Sequence, residues 1–156
     1  MNFDQARFNM VEQQVRPWEV LDPRVLELLE TTQREDFVPV RYRKMAFSDI
    51  AIPLDHEQNM MKPVVEGRLL QALELKPDET VLEIGTGSGF ITACLSQMAK
   101  RVVSVDIHEQ FTKEAEAKLK EKDISNVELE TGDAMTGWQP EQAHDVVVVT
   151  GSVQDI

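Results

Sequence analysis

The stretch Val81-Leu82-Glu83-Ile84-Gly85-Thr86-Gly87-Ser88-Gly89 decides the fold of this chain. An apolar strand runs directly into a loop with a glycine at every second position, and an apolar helix is predicted to begin at about Gly89. This arrangement directs backbone N–H groups and the positive end of a helix at whatever lies beyond the carboxyl end of the strand. The sequence therefore predicts a binding site for a polar ligand at this loop.

Strand and helix patterns alternate along the chain after Thr80. Short apolar runs predict strands, and longer stretches with apolar residues three and four apart predict helices. Their order is typical of a parallel sheet with helices on both faces, an α/β fold with about four parallel strands. The predicted strands are 81–84, 101–105, 127–130 and 146–149, and the predicted helices are 89–99 and 109–121.

The spacing of the glycines separates two kinds of nucleotide ligand. A dinucleotide-binding loop has the form G-x-G-x-x-G, which would put its last glycine at position 90, but that residue is Phe90 and the third glycine is Gly89. Glu83 would repel a pyrophosphate, whereas it would attract the ammonium or sulfonium of an amino-acid-bearing nucleoside. The loop therefore favours S-adenosylmethionine, and an NAD-dependent oxidoreductase is the disfavoured alternative.

Acidic residues stand at the ends of the next two predicted strands. Asp106 lies 21 residues beyond Gly85, where a carboxylate can accept hydrogen bonds from both ribose hydroxyls. Asp133 follows the third strand, where it can accept a hydrogen bond from the amino group of adenine. The predicted cofactor-binding residues are Glu83, Ile84, Gly85, Thr86, Gly87, Ser88, Gly89, Asp106, Ile107, Asp133 and Ala134.

The first 78 residues are predicted to form helices and irregular connections. Asp22-Pro23 predicts a helix start, because aspartate caps a helix and proline suits its first turn. Ala51 to Lys62 is predicted to be a loop without regular structure, of a length typical of functional loops. Pro63 predicts another helix start, with a buried stripe made of Val64, Val65, Leu69, Leu70 and Leu73.

Charge and composition restrict the partners of this 156-residue chain. It carries 16 Lys and Arg against 28 Asp and Glu, a formal net charge of -12, which would repel the phosphate backbone of a nucleic acid. No signal peptide or membrane span is recognised, so we expect a cytoplasmic protein. The single Cys94 is predicted to be a core residue, and His108 and His144 to lie on the surface, with no metal site.

These motifs resemble the protein-L-isoaspartate O-methyltransferase family over nearly the whole chain. The glycine loop is similar to the first cofactor motif of that family. Asn126-Val127 with Gly132-Asp133 and Gly137-Trp138 resembles its second motif, and Asp145 to Thr150 its following strand. Near the start of the chain, Arg34 to Pro39 and Asp49 to Leu54 are similar to its N-terminal signatures.

The resemblance implies a fold, a reaction and a partner. The fold would be a Rossmann-like class I methyltransferase sheet, with residues 1–78 as a helical and substrate-loop region and residues 79–156 as the S-adenosylmethionine-binding core. The reaction would transfer a methyl group to the carboxylate of an isoaspartyl residue in a damaged protein, as in protein repair. A protein or peptide with isoaspartyl residues would be the partner.

The loop that would hold the acceptor departs from the family's form. That form is Gly-Gln-Thr-Ile-Ser-x-Pro, and this chain has Glu57-Gln58-Asn59-Met60-Met61-Lys62-Pro63. By resemblance, Asn59 and Met61 occupy the catalytic Thr and Ser positions. A thioether cannot donate a hydrogen bond, so we expect activity to fall roughly tenfold to a hundredfold. The alternative hypothesis is a catalytically weak or silent protein that binds the cofactor and serves as an interaction module.

The sheet implied by the resemblance has seven strands in the order 3-2-1-4-5-7-6. Four of them are recognised here, and Val146 to Val149 is apolar on both faces, as in a buried central strand. Such an edge favours association unless another strand pairs with it. We therefore expect either a fragment of a longer gene product or a homodimer that covers this edge.

Overall fold

Four parallel strands organise the second of the two units, Met1–Glu74 and Leu75–Ile156, that the chain forms. The structure is a computed structural model that describes residues 1–134 and 143–151. The strands are β1 (Thr80–Ile84), β2 (Arg101–Asp106), β3 (Val127–Thr131) and β4 (Val146–Val149), in the order β3-β2-β1-β4. The predicted parallel α/β sheet is confirmed, while Gly137-Trp138 lies outside the described residues.

The register of the strands brings their carboxyl ends to one edge of the sheet. Ile84 of β1 pairs with Val105 of β2 and with Val149 of β4, and Asp106 pairs with Thr131 of β3. Parallel strands with aligned ends present their terminal residues and following loops together, which is where ligands bind in open α/β sheets. A cluster of buried residues lies below this edge and consists of Leu82, Val103, Val105 and Ala134.

Two helices follow the strands of the second unit. In α4 (Phe90–Met98) every residue except Gln97 is buried, which fits its nearly continuous apolar sequence. Cys94 is among the buried residues, so the prediction of a core cysteine is confirmed. In α5 (Glu109–Glu121) the apolar residues lie on one face and the charged residues on the other, so that only Phe111, Thr112, Ala115 and Leu119 are buried.

The first unit is helical, as predicted. Its α-helices are α1 (Phe3–Met10), α2 (Pro23–Thr31) and α3 (Pro63–Leu73). The Asp22 side chain accepts a hydrogen bond from the Arg24 N–H and so caps α2, which confirms the predicted helix start. A π-helical segment (Val11–Val15) and three 3₁₀ segments (Arg16–Trp18, Arg34–Phe37 and Val40–Met45) connect the α-helices.

The predicted buried stripe of α3 is wrong in part. Val65 is 45% exposed, and the face turned inward is Pro63, Glu66, Gly67 and Leu70. These residues are three and four apart and therefore share one side of the helix. Glu66 is buried because it forms an ion pair with Arg34. The apolar pattern of the helix does not predict that partner.

Residues 52–60 form a short hairpin, where the sequence predicted a loop without regular structure. Pro53 and Asn59 form an antiparallel bridge. The Met60 N–H donates to the Ile52 carbonyl at 2.8 Å, and the Leu54 N–H donates to the Gln58 carbonyl at 2.8 Å. The turn between the two arms was missed because its left-handed positions hold His56 and Glu57, both at φ +58°, rather than glycine.

Strand β4 pairs with β1 on one side, and no strand pairs with its other side within residues 1–134 and 143–151. Val148 is buried, but Val147 is 56% exposed and Val149 is 51% exposed on the opposite face. The strand therefore leaves both an open edge and an apolar face.

None of the helices in the described ranges is long and apolar enough to cross a lipid bilayer.

Candidate functional site

The glycine loop after β1 has a backbone that only glycine adopts readily. Gly85, Gly87 and Gly89 have φ values of +106°, +53° and +88°. A Cβ atom at Gly85 would lie 2.2 Å from the backbone nitrogen of Gly151. The Thr150 and Gly151 N–H groups also donate to the Ile84 carbonyl, at 2.9 and 3.1 Å. The loop is therefore pressed against the backbone that follows β4.

Asp106 at the end of β2 holds this loop and retains capacity for a ligand. Its Oδ2 accepts a hydrogen bond from the Gly87 N–H at 3.0 Å, and its Oδ1 accepts one from the His108 N–H at 2.9 Å. A carboxylate has about four acceptor sites, so two N–H donors leave room for two more. The side chain is thus fixed in place and suited to accept hydrogen bonds from a pair of ribose hydroxyls.

The remaining predicted residues after β2 and β3 differ in exposure. The Gly132 N–H donates to the Asp106 backbone carbonyl at 2.9 Å, which joins the ends of the two strands. Asp133 is exposed, whereas Ala134 is 7% exposed and packs in the core. Ile107 is 62% exposed. An exposed apolar side chain beside the carboxylate predicted to bind ribose offers a surface for the flat face of a base.

Glu83 is buried among hydroxyl groups. Its carboxyl group is 0% exposed and accepts hydrogen bonds from Ser104 Oγ at 2.7 Å and Thr150 Oγ1 at 3.1 Å. Thr92 of α4 donates a third at 2.5 Å. Burial raises the pKa of Glu83 to about 7, and the three hydroxyl groups offset part of that rise. These contacts make Glu83 a brace for the loop, and its direct contact with a cofactor stays a prediction.

The hydroxyl groups that surround Glu83 were not predicted from the sequence. Ser104 interrupts the apolar run of β2, and Thr92 lies within the apolar helix α4. A lone hydroxyl in an apolar element has to find a buried partner, and that signal was available. Thr150 gave no such signal, because a threonine after a strand is ordinary in sequence. Its single hydroxyl proton is shared between Glu83 and the Gly85 carbonyl, which is the nearer acceptor at 2.6 Å.

The two predicted acceptor positions, Asn59 and Met61, lie in the second arm of the hairpin at residues 52–60 and directly after it. Successive side chains of an extended segment point to opposite faces, so Asn59 and Met61 share a side and Met60 faces the other way. Asn59 is exposed and Met61 is half-buried, while Met60 is 4% exposed and belongs to the core. Asn59 and Lys62 are exposed and offer an amide donor and an ammonium donor, and His56 at the turn is exposed as well.

The residues at the carboxyl edge fit a nucleoside that carries a positive charge. The glycine cradle admits close approach of a ligand to the backbone, and Asp106 and Asp133 supply acceptors for hydroxyl and amino groups. These acceptors agree with the S-adenosylmethionine prediction. An acid at the end of β2 also suits the ribose of NAD, so the preference over NAD rests on the glycine spacing, with Phe90 where a dinucleotide-binding loop has its last glycine.

Comparisons with known proteins agree on one family. The family model for protein-L-isoaspartate(D-aspartate) O-methyltransferase matches residues 6–156. A protein-L-isoaspartate O-methyltransferase from Opitutus terrae is 35% identical over 99% of this chain and 68% of its own length. Another from Dictyoglomus turgidum is 37% identical over 85% of this chain and 60% of its own length. The chain thus spans about three fifths to two thirds of these relatives.

Solved structures share the fold. A protein-L-isoaspartate O-methyltransferase superimposes with a TM-score of 0.75 at 24% identity, covering 92% of this chain and 47% of that one. A dimethyladenosine transferase from Plasmodium falciparum superimposes with a TM-score of 0.54 at 29% identity, covering 58% of this chain and 32% of that one. The predicted methyltransferase fold is therefore confirmed.

Proposed function

The chain belongs to the protein-L-isoaspartate O-methyltransferase family, and we propose from this premise that it methylates isoaspartyl carboxylates. Members of this family use S-adenosylmethionine as the methyl donor. The observation that carries the proposal is the agreement of the family match over residues 6–156 with the arrangement of Asp106 and the glycine loop. Loop, ribose acceptor and base acceptor all lie along the carboxyl edge of one parallel sheet.

In this proposal the predicted cofactor residues bind different parts of S-adenosylmethionine. Asp106 accepts the ribose hydroxyls, since its two backbone donors fix it and leave acceptor sites open. Asp133 accepts a hydrogen bond from the amino group of adenine, and Ile107 packs against the face of the base. The backbone of Gly85 to Gly89 would hold the amino-acid part of the cofactor, and Glu83 keeps that backbone in position.

The acceptor side needs little acid–base chemistry. An isoaspartyl carboxyl group has an ordinary pKa of about 4 and is therefore ionised at neutral pH. No strong base is required to activate it. S-adenosylmethionine held by Asp106 and the glycine loop would supply a methyl group activated by a sulfonium, for transfer to a carboxylate oxygen with loss of the carbon–sulfur bond. This chain contributes orientation and exclusion of water, with Asn59 and Lys62 as donors to the acceptor carboxylate.

The proposal includes the partners expected from the sequence. The substrate is a protein or peptide with an isoaspartyl residue, and the net charge of -12 disfavours nucleic acid as a partner. The open edge of β4 and its exposed valines support a homodimer through that edge.

Calorimetric titration with S-adenosylhomocysteine, the product of methyl transfer, tests the cofactor site. We expect micromolar binding that Asp106→Ala abolishes and that Asp78→Ala, at an exposed turn, leaves unchanged. No binding to the unmodified chain, or full binding to Asp106→Ala, would contradict the proposed site.

Methylation of an isoaspartyl peptide, compared with its normal aspartyl twin, tests the acceptor. We expect transfer to the isoaspartyl peptide alone. Cofactor binding without transfer to either peptide would instead identify a binding module that lacks the activity.

A further inference from the structure

Arg34 is a buried side chain that joins three separate segments of the first unit. It is 1% exposed. Its Nε donates to the Ala46 carbonyl at 2.7 Å, and its Nη2 donates to the Met61 carbonyl at 3.2 Å. Its Nη1 forms an ion pair with the carboxylate of Glu66 in α3. A planar guanidinium with donors in fixed directions is suited to hold several acceptors at once.

The hairpin that precedes Met61, whose carbonyl bonds to Arg34, has few internal interactions that stabilise it. The bonds between its two arms are the Met60 and Leu54 N–H groups on the Ile52 and Gln58 carbonyls. Its turn places two residues with side chains in the left-handed region, which costs about 1 to 2 kcal/mol per residue. An isolated two-stranded hairpin is marginal in water, so its position depends on contacts from outside.

The ion pair of Arg34 and Glu66 is a costly way to fill this space. Glu66 is 2% exposed, and its burial raises the pKa of its carboxyl group to about 7 despite the nearby guanidinium. Buried ion pairs are often no more stabilising than apolar side chains of similar volume. Apolar side chains, however, have no donors for the carbonyl oxygens of Ala46 and Met61. The pair therefore supplies hydrogen-bond donors for these two carbonyl groups as well as filling the core.

We propose that Arg34 is a positioning residue for the hairpin, and that Glu66 holds its guanidinium in place. The bond to the Met61 carbonyl fixes the residue that follows the hairpin and so sets where Asn59 and Met61 present their side chains. This inference rests on the proposed function only for the role of Asn59 in binding the methyl acceptor. The anchoring itself is a property of the fold.

The first unit contains a matched control pair. Arg7 and Glu35 are 5% and 6% exposed and form an ion pair at 2.6 Å. Among the described residues, the hydrogen bonds of the Arg7 side chain go to Asp4 and Glu35, and none goes to the hairpin. Replacing either pair removes one buried ion pair from the same unit, but only one replacement removes a hairpin contact.

The test compares Arg34→Met/Glu66→Met with Arg7→Met/Glu35→Met in the full chain. Hydrogen exchange is measured at the Met60 and Leu54 amides, which bond across the hairpin. We expect exchange at both amides to accelerate about tenfold or more in the first variant, since one anchoring hydrogen bond to a charged group is lost. We expect exchange there to stay within about twofold of the original chain in the control variant.

Equal protection of the hairpin in both double variants would overturn the proposal. Equal loss in both would also overturn it, because the pair would then act as a general stabiliser. If Arg34→Met/Glu66→Met does not fold, hydrogen exchange in the hairpin is measured in Arg34→Lys instead. This substitution keeps a positive charge beside Glu66 but loses the planar guanidinium. Hairpin exchange at the original rate in a folded Arg34→Lys chain would overturn the proposal.

Enzyme kinetics separate this inference from the proposed function. In Arg34→Lys we expect the KM for an isoaspartyl peptide to rise about tenfold, with the affinity for S-adenosylhomocysteine unchanged. An unchanged KM in an active Arg34→Lys enzyme would overturn positioning of the acceptor. If the original chain methylates no peptide, the proposed function fails, and the exchange experiment still decides whether Arg34 anchors the hairpin.

Discussion

Gly85 is the residue at which the candidate site is least tolerant of change. Its Cβ would overlap the backbone of Gly151 at 2.2 and 2.4 Å, and backbone cannot swing aside as a side chain can. We expect Gly85→Ala to lower the free energy of unfolding by more than about 2 kcal/mol and to abolish binding of S-adenosylhomocysteine. Urea unfolding and calorimetric titration measure the two effects.

Gly151→Ala serves as the control for that substitution. A Cβ at Gly151 would lie 3.1 Å from the Gly85 Cα, a tight contact that a small shift relieves. We expect a much smaller loss of stability and retained binding. Equal effects of the two substitutions would show that the left-handed backbone of Gly85 is not required.

Glu57 is a residue whose replacement is expected to stabilise the chain. It occupies a left-handed turn position at φ +58°, where the family's loop has glycine. We expect Glu57→Gly to raise the free energy of unfolding by about 1 kcal/mol, measured by urea unfolding. Glu57→Ala also removes the charge but keeps the Cβ atom, so it should give no comparable gain. Equal stabilisation by both would assign the effect to charge.

The sequence predicted the position of some site residues but not the contacts of others. The position of Asp106 followed from its spacing after the glycine loop, because strand and helix lengths in such units are nearly fixed. The surroundings of Glu83 did not follow, because its three hydroxyl partners lie 9, 21 and 67 residues away along the chain. Long-range contacts of this kind depend on the packed fold.

At the level of secondary-structure elements, the buried Glu83 couples β1, α4 and β2, and this gives the stability a pH dependence. Its pKa rises from 4.5 to about 7 on burial. Between these values the folded chain binds more protons than the unfolded chain, so stability falls as the pH rises and is greatest below about pH 4.5 for this group. Glu66 acts in the same direction, since its pKa is also raised to about 7.

We therefore expect Glu83→Gln to reduce the fall in stability between pH 5 and pH 8, by an amount on the order of 2 kcal/mol. Urea unfolding at several pH values measures the change. The exposed Glu116 of α5 provides the control substitution Glu116→Gln. The same pH dependence in Glu83→Gln and in the original chain would mean that this carboxyl group is ionised throughout.

Elements were predictable where local patterns decide them. The strands and helices of the second unit appear within one or two residues of their predicted bounds, because each combines an apolar pattern with glycine or a polar turn. The hairpin at residues 52–60 was not predictable, since its turn uses His56 and Glu57 in place of glycine. The inward face of α3 was misjudged because a buried ion pair contradicts apolar patterning.

At the scale of the whole molecule, the exposed valines of β4 form an apolar surface that association would cover. Val147 and Val149 of β4 are 56% and 51% exposed, beside an edge with no strand partner among the described residues. We expect the chain to form a dimer at micromolar concentration, and Val147→Lys/Val149→Lys to convert it to a monomer. Size-exclusion chromatography with light scattering measures the mass.

Val40→Lys is the matched control, because Val40 is 76% exposed but lies in the first unit. It should leave the mass of the dimer unchanged. A monomer in the original chain would rule out association through β4, and dissociation by Val40→Lys would move the interface to another surface.

The contact between Ile84 and the residues after β4 has a consequence for the order of events during synthesis. The carbonyl of Ile84 bonds to the amides of Thr150 and Gly151, which lie more than sixty residues later in the chain. A nascent chain that has emerged from the ribosome only as far as Asp133 carries the acidic residues predicted for the nucleoside site, Glu83, Asp106 and Asp133, but lacks the backbone that closes the glycine loop. We therefore expect the cofactor to bind only after residues 150 and 151 have been translated, so that it cannot assist the earlier steps of folding.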